Sequence, residues 1–179
     1  MNKFIQLLIL IGITSCSSPI SDNINSKYGL QPDIRPIPSK TSHKDSTTFN
    51  YRSYREWNYY FTIDSVRYKG TVPRAIISDG TSIPKPLWSI TGIQRDGLER
   101  AAAWAHDWHY QRNGKIPLKK WVLVKGWTDC DKVLTREESD NIFYNMMKAS
   151  KVSEKRARLM FDAVRKYGYI AWNKHLDGK

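Results

Sequence analysis

Apolar and polar positions follow several different rhythms along this chain. Residues 4–13, Phe-Ile-Gln-Leu-Leu-Ile-Leu-Ile-Gly-Ile, form a nearly unbroken apolar run behind Lys3. A membrane span needs about 20 such residues, so the run reads as a short secretory signal. Residues 17–50 reverse the pattern. They are rich in Ser, Asn, Asp, Thr and Pro, and the prolines at 32, 36 and 38 forbid a regular helix. This stretch reads as a disordered tether. From Trp57 the pattern changes again. Aromatic and β-branched residues dominate Trp57 to Ile63 and predict a strand. Val66 to Gly70 and Thr71 to Ile77 predict two more short strands. Ser78-Asp79-Gly80-Thr81 reads as a turn. Ser82-Ile83-Pro84-Lys85-Pro86 is extended or turning, with Leu87, Trp88 and Ile90 pinning it to the core.

Helical signals then take over. Residues 98–110 are alanine-rich and carry no helix breaker, and Asn113-Gly114 supplies a stop. Residues 115–134 show no clear period; Trp121 to Val124 is either a strand or an insertion across the core. A second helix is predicted from Arg136 to Ala149. Thr135 is its N-cap, and Glu138 completes a capping box. Ile142, Phe143, Met146 and Met147 form its apolar face. Ser153 begins a third helix with a stripe of Ala157, Met160, Phe161 and Val164. Gly168 ends it, and Ile170 and Trp172 pack the tail onto the domain. The expected class is α+β: a short antiparallel sheet followed by about three helices. The expected division is a signal at 1–15, a tether at 16–54, a folded domain at 55–174 and a tail at 175–179.

Charge narrows the partners. The 29 Lys and Arg outweigh 17 Asp and Glu, for a net charge of +12. Anionic partners are favoured. No zinc-finger spacing or nucleic-acid module is visible, so a nucleic acid is not the expected partner. Anionic lipid headgroups suit the charge at least as well. The cysteines bear on the same question. Ile13-Thr14-Ser15-Cys16 resembles the lipobox of bacterial lipoproteins. That resemblance implies lipidation of Cys16, a membrane anchor in the bacterial cell envelope, and a domain facing outside the cytoplasm. Cys130 is then left without a disulfide partner. An ordinary secretory signal is the alternative, and it permits a bond between Cys16 and Cys130; a buried N-terminal helix is another. Asp129 and Asp131 flank Cys130 and disfavour a reactive thiolate.

The chemistry concentrates on the first helix. His106 and Tyr110 stand four residues apart and share a face, with His109 close by. Asp107 points roughly 100° away from His106. Asp140 borders the apolar stripe of the next helix, where a carboxylate needs a partner. A histidine on the facing helix is the simplest one. A His106–Asp140 pair fixes the tautomer of the ring and raises its basicity. It serves equally as a structural bond. Asp79 and Gly80, with the hydroxyls of Thr81 and Ser82 and with Asp107, offer oxygen ligands for calcium, or form a plain turn. Zinc on His106 and His109 is a weaker reading.

Four blocks now carry a resemblance. They are Ser78-Asp79-Gly80-Thr81-Ser82-Ile83-Pro84-Lys85 with Trp88, and Ala102-Ala103-Trp104-Ala105-His106-Asp107-Trp108-His109-Tyr110. The others are Ser139-Asp140-Asn141-Ile142-Phe143 and Ala163-Val164-Arg165-Lys166-Tyr167-Gly168. In this order they resemble DUF1353, a family of uncharacterised proteins from bacteriophages and bacteria. Lys85 departs from the arginine usual there. The match implies no activity. It marks Thr81, Ser82, Lys85, Trp88 and His109 as candidate binding residues, and an envelope or phage component as a candidate partner. The His106-Asp107-x-x-Tyr110 helix is also similar, more loosely, to that of secreted phospholipases A2. That similarity implies a calcium-assisted hydrolase with His106 as base, Asp140 and Tyr110 supporting it, and Asp107, Asp79 and Gly80 on the ion. The cysteines and the richer glycine loop of those enzymes are missing here.

Overall fold

A computed structural model describes residues 18–38, 49–78 and 97–174. The strands are β1 (Ile24–Tyr28), β2 (Ile34–Pro38), β3 (Phe49–Ser53), β4 (Trp57–Ile63), β5 (Val66–Val72), β6 (Ile77–Ser78), β7 (Leu118–Val122) and β8 (Gly126–Cys130). The helices are α1 (Arg100–Gln111), α2 (Arg136–Ala149), α3 (Glu154–Tyr167) and α4 (Tyr169–Lys174). The class is α+β, with two antiparallel sheets and the helices packed on the larger one. That sheet runs β1-β4-β5-β7-β8; the smaller runs β2-β3-β6.

Strand β4 organises the core. Its side chains alternate, and Trp57, Tyr59, Phe61 and Ile63 all point inward and are buried. Helix α2 lies on the same side of the sheet. The Ser26 hydroxyl of β1 donates to the Ile142 carbonyl at 3.2 Å, and Tyr28 meets Ser150 at 2.6 Å. Four alanines let α1 sink between sheet and helices, so that every residue from Ala101 to Tyr110 is buried. Small side chains permit this close approach without leaving voids.

The stretch 16–54 is not a plain tether, because β1, β2 and β3 lie within it. Ile24 to Tyr28 pair residue by residue with Ile63 to Tyr59. Ser21 and Ser18 are tied further in, donating backbone N–H to Asn141 at 2.8 Å and Asp162 at 3.1 Å. The domain thus begins well before residue 55. Polar composition concealed these strands because their order comes from partners distant in sequence.

Thr71 to Ile77 is not one strand either. β5 runs unbroken to Val72, with Gly70 leaving room for the Tyr59 ring; a Cβ there would meet it at 2.3 Å. Pro73 cannot donate to the ladder, and Ala75 has a left-handed φ of 68°. Residues 118–130, unreadable by period, form the β7–β8 hairpin and return to the sheet after α1. Helix α2 matches its predicted limits. Thr135 accepts from the Glu138 N–H, and Glu138 accepts from the Thr135 N–H. Ser153 precedes α3 but makes no side-chain cap, and Gly168 leads directly into α4.

Candidate functional site

Helices α1 and α2 bring His106 and Asp140 together. His106 Nε2 lies 2.8 Å from Asp140 Oδ1, and neither side chain has any exposed surface. The Tyr110 hydroxyl, one turn along α1, donates to the same oxygen at 2.7 Å. Arg165 of α3 approaches the other oxygen, Oδ2, at 2.9 Å, and Arg136 lies 3.5 Å from it. Phe143 and Tyr110 enclose the imidazole, with ring centroids 4.7 and 4.1 Å away. Gly168 makes room for the Tyr110 hydroxyl, which a Cβ would meet at 2.5 Å. The Trp172 ring of α4 meets Tyr110 edge-on at 5.0 Å.

These contacts fix protons as well as positions. Burial pushes the Asp140 carboxyl upward, but the hydrogen bond and charge of His106, with bonds from Tyr110 and Arg165, outweigh it. The net result lies below the usual aspartate value of 3.8. An ionised carboxylate only accepts, so Nε2 of His106 is the nitrogen that carries the proton whenever the ring holds a single one. Its Nδ1 then holds a lone pair, and that atom has no hydrogen-bond partner among the described residues. Burial first, and then Asp140, push the Tyr110 hydroxyl far above its ordinary value, so it stays a donor.

His109 faces elsewhere. It is wholly buried, and its Nε2 meets the Tyr59 hydroxyl at 2.6 Å. Burial, then the neighbouring His106, lower it from 6.5 to about 3. This depressed value makes a prediction. The unfolded chain binds a proton near 6.5 and the folded one does not, so stability is full above that pH. It declines as pH falls from 6.5 toward 3, by about 1.4 kcal/mol per unit at most. Asp140 adds a loss only below its unfolded value of 3.8, as pH falls through its lowered folded value. Urea unfolding between pH 8 and 3 is expected to show the first decline in wild type and not in H109Q.

Asp107 accepts a hydrogen bond from the Ser78 hydroxyl, tying β6 to α1. Gln111 adds to this tie by donating to the Ile77 carbonyl at 3.0 Å. Asp79, Gly80, Thr81, Ser82, Lys85 and Trp88 lie outside the described residues, as does Cys16. Among the described residues no group of three or more His, Cys, Asp or Glu can hold a metal. His106 and His109 turn their Nε2 atoms to different partners.

A family model described as "Protein of unknown function (DUF1353)" matches residues 56–164. The chain belongs to the DUF1353 family. No curated protein and no solved structure matches it. The His106–Asp140 pair lies inside the DUF1353 region, while Arg165 lies one residue past its end. Arg165 and Arg136 are the site residues that sequence reasoning missed. The signal for Arg165 was present in Ala163-Val164-Arg165, since an arginine beside a buried stripe is placed to reach a buried acid.

Proposed function

We propose that this DUF1353 protein is an envelope lipoprotein, anchored through Cys16, whose domain hydrolyses esters with His106 as general base. The observation that carries this reading is the oriented imidazole. Asp140 holds Nε2–H, and Nδ1 presents a lone pair that no described residue engages. In the reaction Nδ1 takes a proton from water as the water oxygen attacks the ester carbonyl. Asp140 stabilises the imidazolium, and the same proton then passes to the departing alkoxide. Tyr110 and Arg165 keep Asp140 ionised and in place. Because the ring has no exposed surface, substrate binding must displace the groups that cover Nδ1. Calcium is an addition to this proposal. Asp107, with Asp79 and Gly80, would hold the ion through their oxygens, and the bound ion would polarise the ester carbonyl. Of these three ligands only Asp107 lies among the described residues, and its carboxylate is already bonded to the Ser78 hydroxyl, so no step runs through the ion.

A second reading has its own support. Two arginines already neutralise Asp140, and burial is complete, which suits a clasp between helices. The lipoprotein then binds an envelope or phage component through its surface and performs no chemistry. The test is release of carboxylic acid from phosphatidylglycerol vesicles and from short-chain soluble esters, with and without millimolar calcium. Wild type is expected to turn over at least one class, and a folded H106A variant to lose roughly 10²–10⁴ of the rate. No release from either class, or an undiminished H106A, supports the clasp instead.

A further inference from the structure

The face of the larger sheet turned away from the helices carries a pattern that the proposed site does not use. Strand alternation and register place Lys27, Tyr60, Arg67, Lys69, Lys119, Trp121 and Trp127 on this one face. The Trp127 ring stands 5.5 Å from Tyr60 and 5.4 Å from Trp121. The Arg67 guanidinium lies over both tryptophans, at 5.7 and 5.9 Å from their centroids. Asp129 is the acid on this face, 3.5 Å from Lys119.

The hairpin that bears the tryptophans ends in an unusual tip. Leu123 is 83% exposed, Val124 is 98% exposed, and Lys125 follows. Val124 has a φ of 75°, a conformation that a β-branched residue rarely adopts. Two bare aliphatic side chains at a strained turn gain nothing from the domain. Cations, interfacial tryptophans and protruding aliphatics together match the boundary of an anionic bilayer. A glycan partner fits less well, because Arg67 already covers the indole faces and a sugar has no use for Leu123 and Val124.

The direction of the tip agrees. The β5–β7 ladder runs from Gly70 opposite Leu118 to Tyr68 opposite Lys120, so β7 advances toward the turn between β4 and β5. The start of β1 lies at that same turn: Asp64 donates its N–H to the Asn23 carbonyl at 3.3 Å. Chain entry from the Cys16 side and the hairpin tip therefore share one end of the sheet. Lys151, beside the Ser150 that Tyr28 holds, lies at the opposite end.

We propose that the β7–β8 tip, Leu123 to Lys125, inserts into an anionic bilayer, with the basic outer face against the headgroups. It is a second membrane contact, which would orient the domain beside the anchor proposed above. The test uses the full chain carrying C16S and C130S, so lipidation plays no part, with V124C labelled by an environment-sensitive fluorophore. Emission is expected to shift to the blue on phosphatidylglycerol vesicles, at least several-fold more than on phosphatidylcholine. K119E/K125E should abolish the shift, and a label at K151C should stay in water. H106A should shift as fully as its parent, which separates this result from the fate of the hydrolase reading. Water-like emission on anionic vesicles overturns the proposal. So does an equal shift on neutral vesicles that survives charge reversal, or a shift produced only by peptidoglycan sacculi.

Discussion

Asp140→Ala is expected to lower stability by about 3–5 kcal/mol, among the largest losses that a single buried acid can cause. The carboxylate receives His106 and Tyr110 on one oxygen and Arg165 on the other. Removing it strands a buried imidazole, a buried phenol and an arginine that is mostly enclosed. Each of these must then lose solvation without a partner, or drag its helix toward water. The three donors come from α1 and α3, while Asp140 belongs to α2, so a single side chain joins three helices. D140N keeps the volume and one acceptor oxygen and should lose less than alanine. Urea unfolding of both variants at pH 7 checks the order. A loss below about 1 kcal/mol in D140A would mean that packing alone holds these helices together.

Gly114→Ala should be nearly as damaging, for a backbone reason. Gly114 has a φ of 71°, and an added Cβ would stand 1.8 Å from the Leu134 carbonyl oxygen. The Gly114 N–H closes α1 on the His109 carbonyl at 2.9 Å, and its own carbonyl receives the Leu134 N–H at 3.1 Å. This residue therefore sets the height of α1 against the entry to α2. The left-handed conformation costs alanine about 1–2 kcal/mol by itself. The clash with a fixed carbonyl adds to that, because backbone cannot swing aside as a side chain tip can. Together they should lower the melting temperature by roughly 6–12 °C, which calorimetry reads directly. A shift under about 2 °C would show that the 114–134 contact relaxes freely.

Local signals explain what was legible. Thr135 and Glu138 specify the start of α2 within four residues, and the alanines of α1 specify a helix that can be buried on all sides. The central pair was legible too, because His106 and Asp140 both interrupt apolar faces, and buried polar groups must find each other. Long-range pairing explains what was not. Ile24 to Tyr28 look like linker, and only the Trp57 to Ile63 strand makes them a strand. The second sheet is assembled from Ile34, Phe49 and Ile77 segments with equally weak local patterns. Arg165 escaped notice for a different reason. An arginine in the last turn of a helix ordinarily meets the helix dipole and solvent. Here its neighbour in space is Asp140, 25 residues earlier in the preceding helix.

The most direct test of the general-base assignment is the position of one proton. Nitrogen-15 NMR of histidine-labelled wild type, recorded above pH 8, resolves the two ring nitrogens of His106, with H106A identifying the signals. The account predicts the proton on Nε2, held by Asp140, and an unprotonated Nδ1 with a lone-pair shift. A proton on Nδ1 would contradict it, because the nitrogen assigned to take a proton from water would already be carrying one.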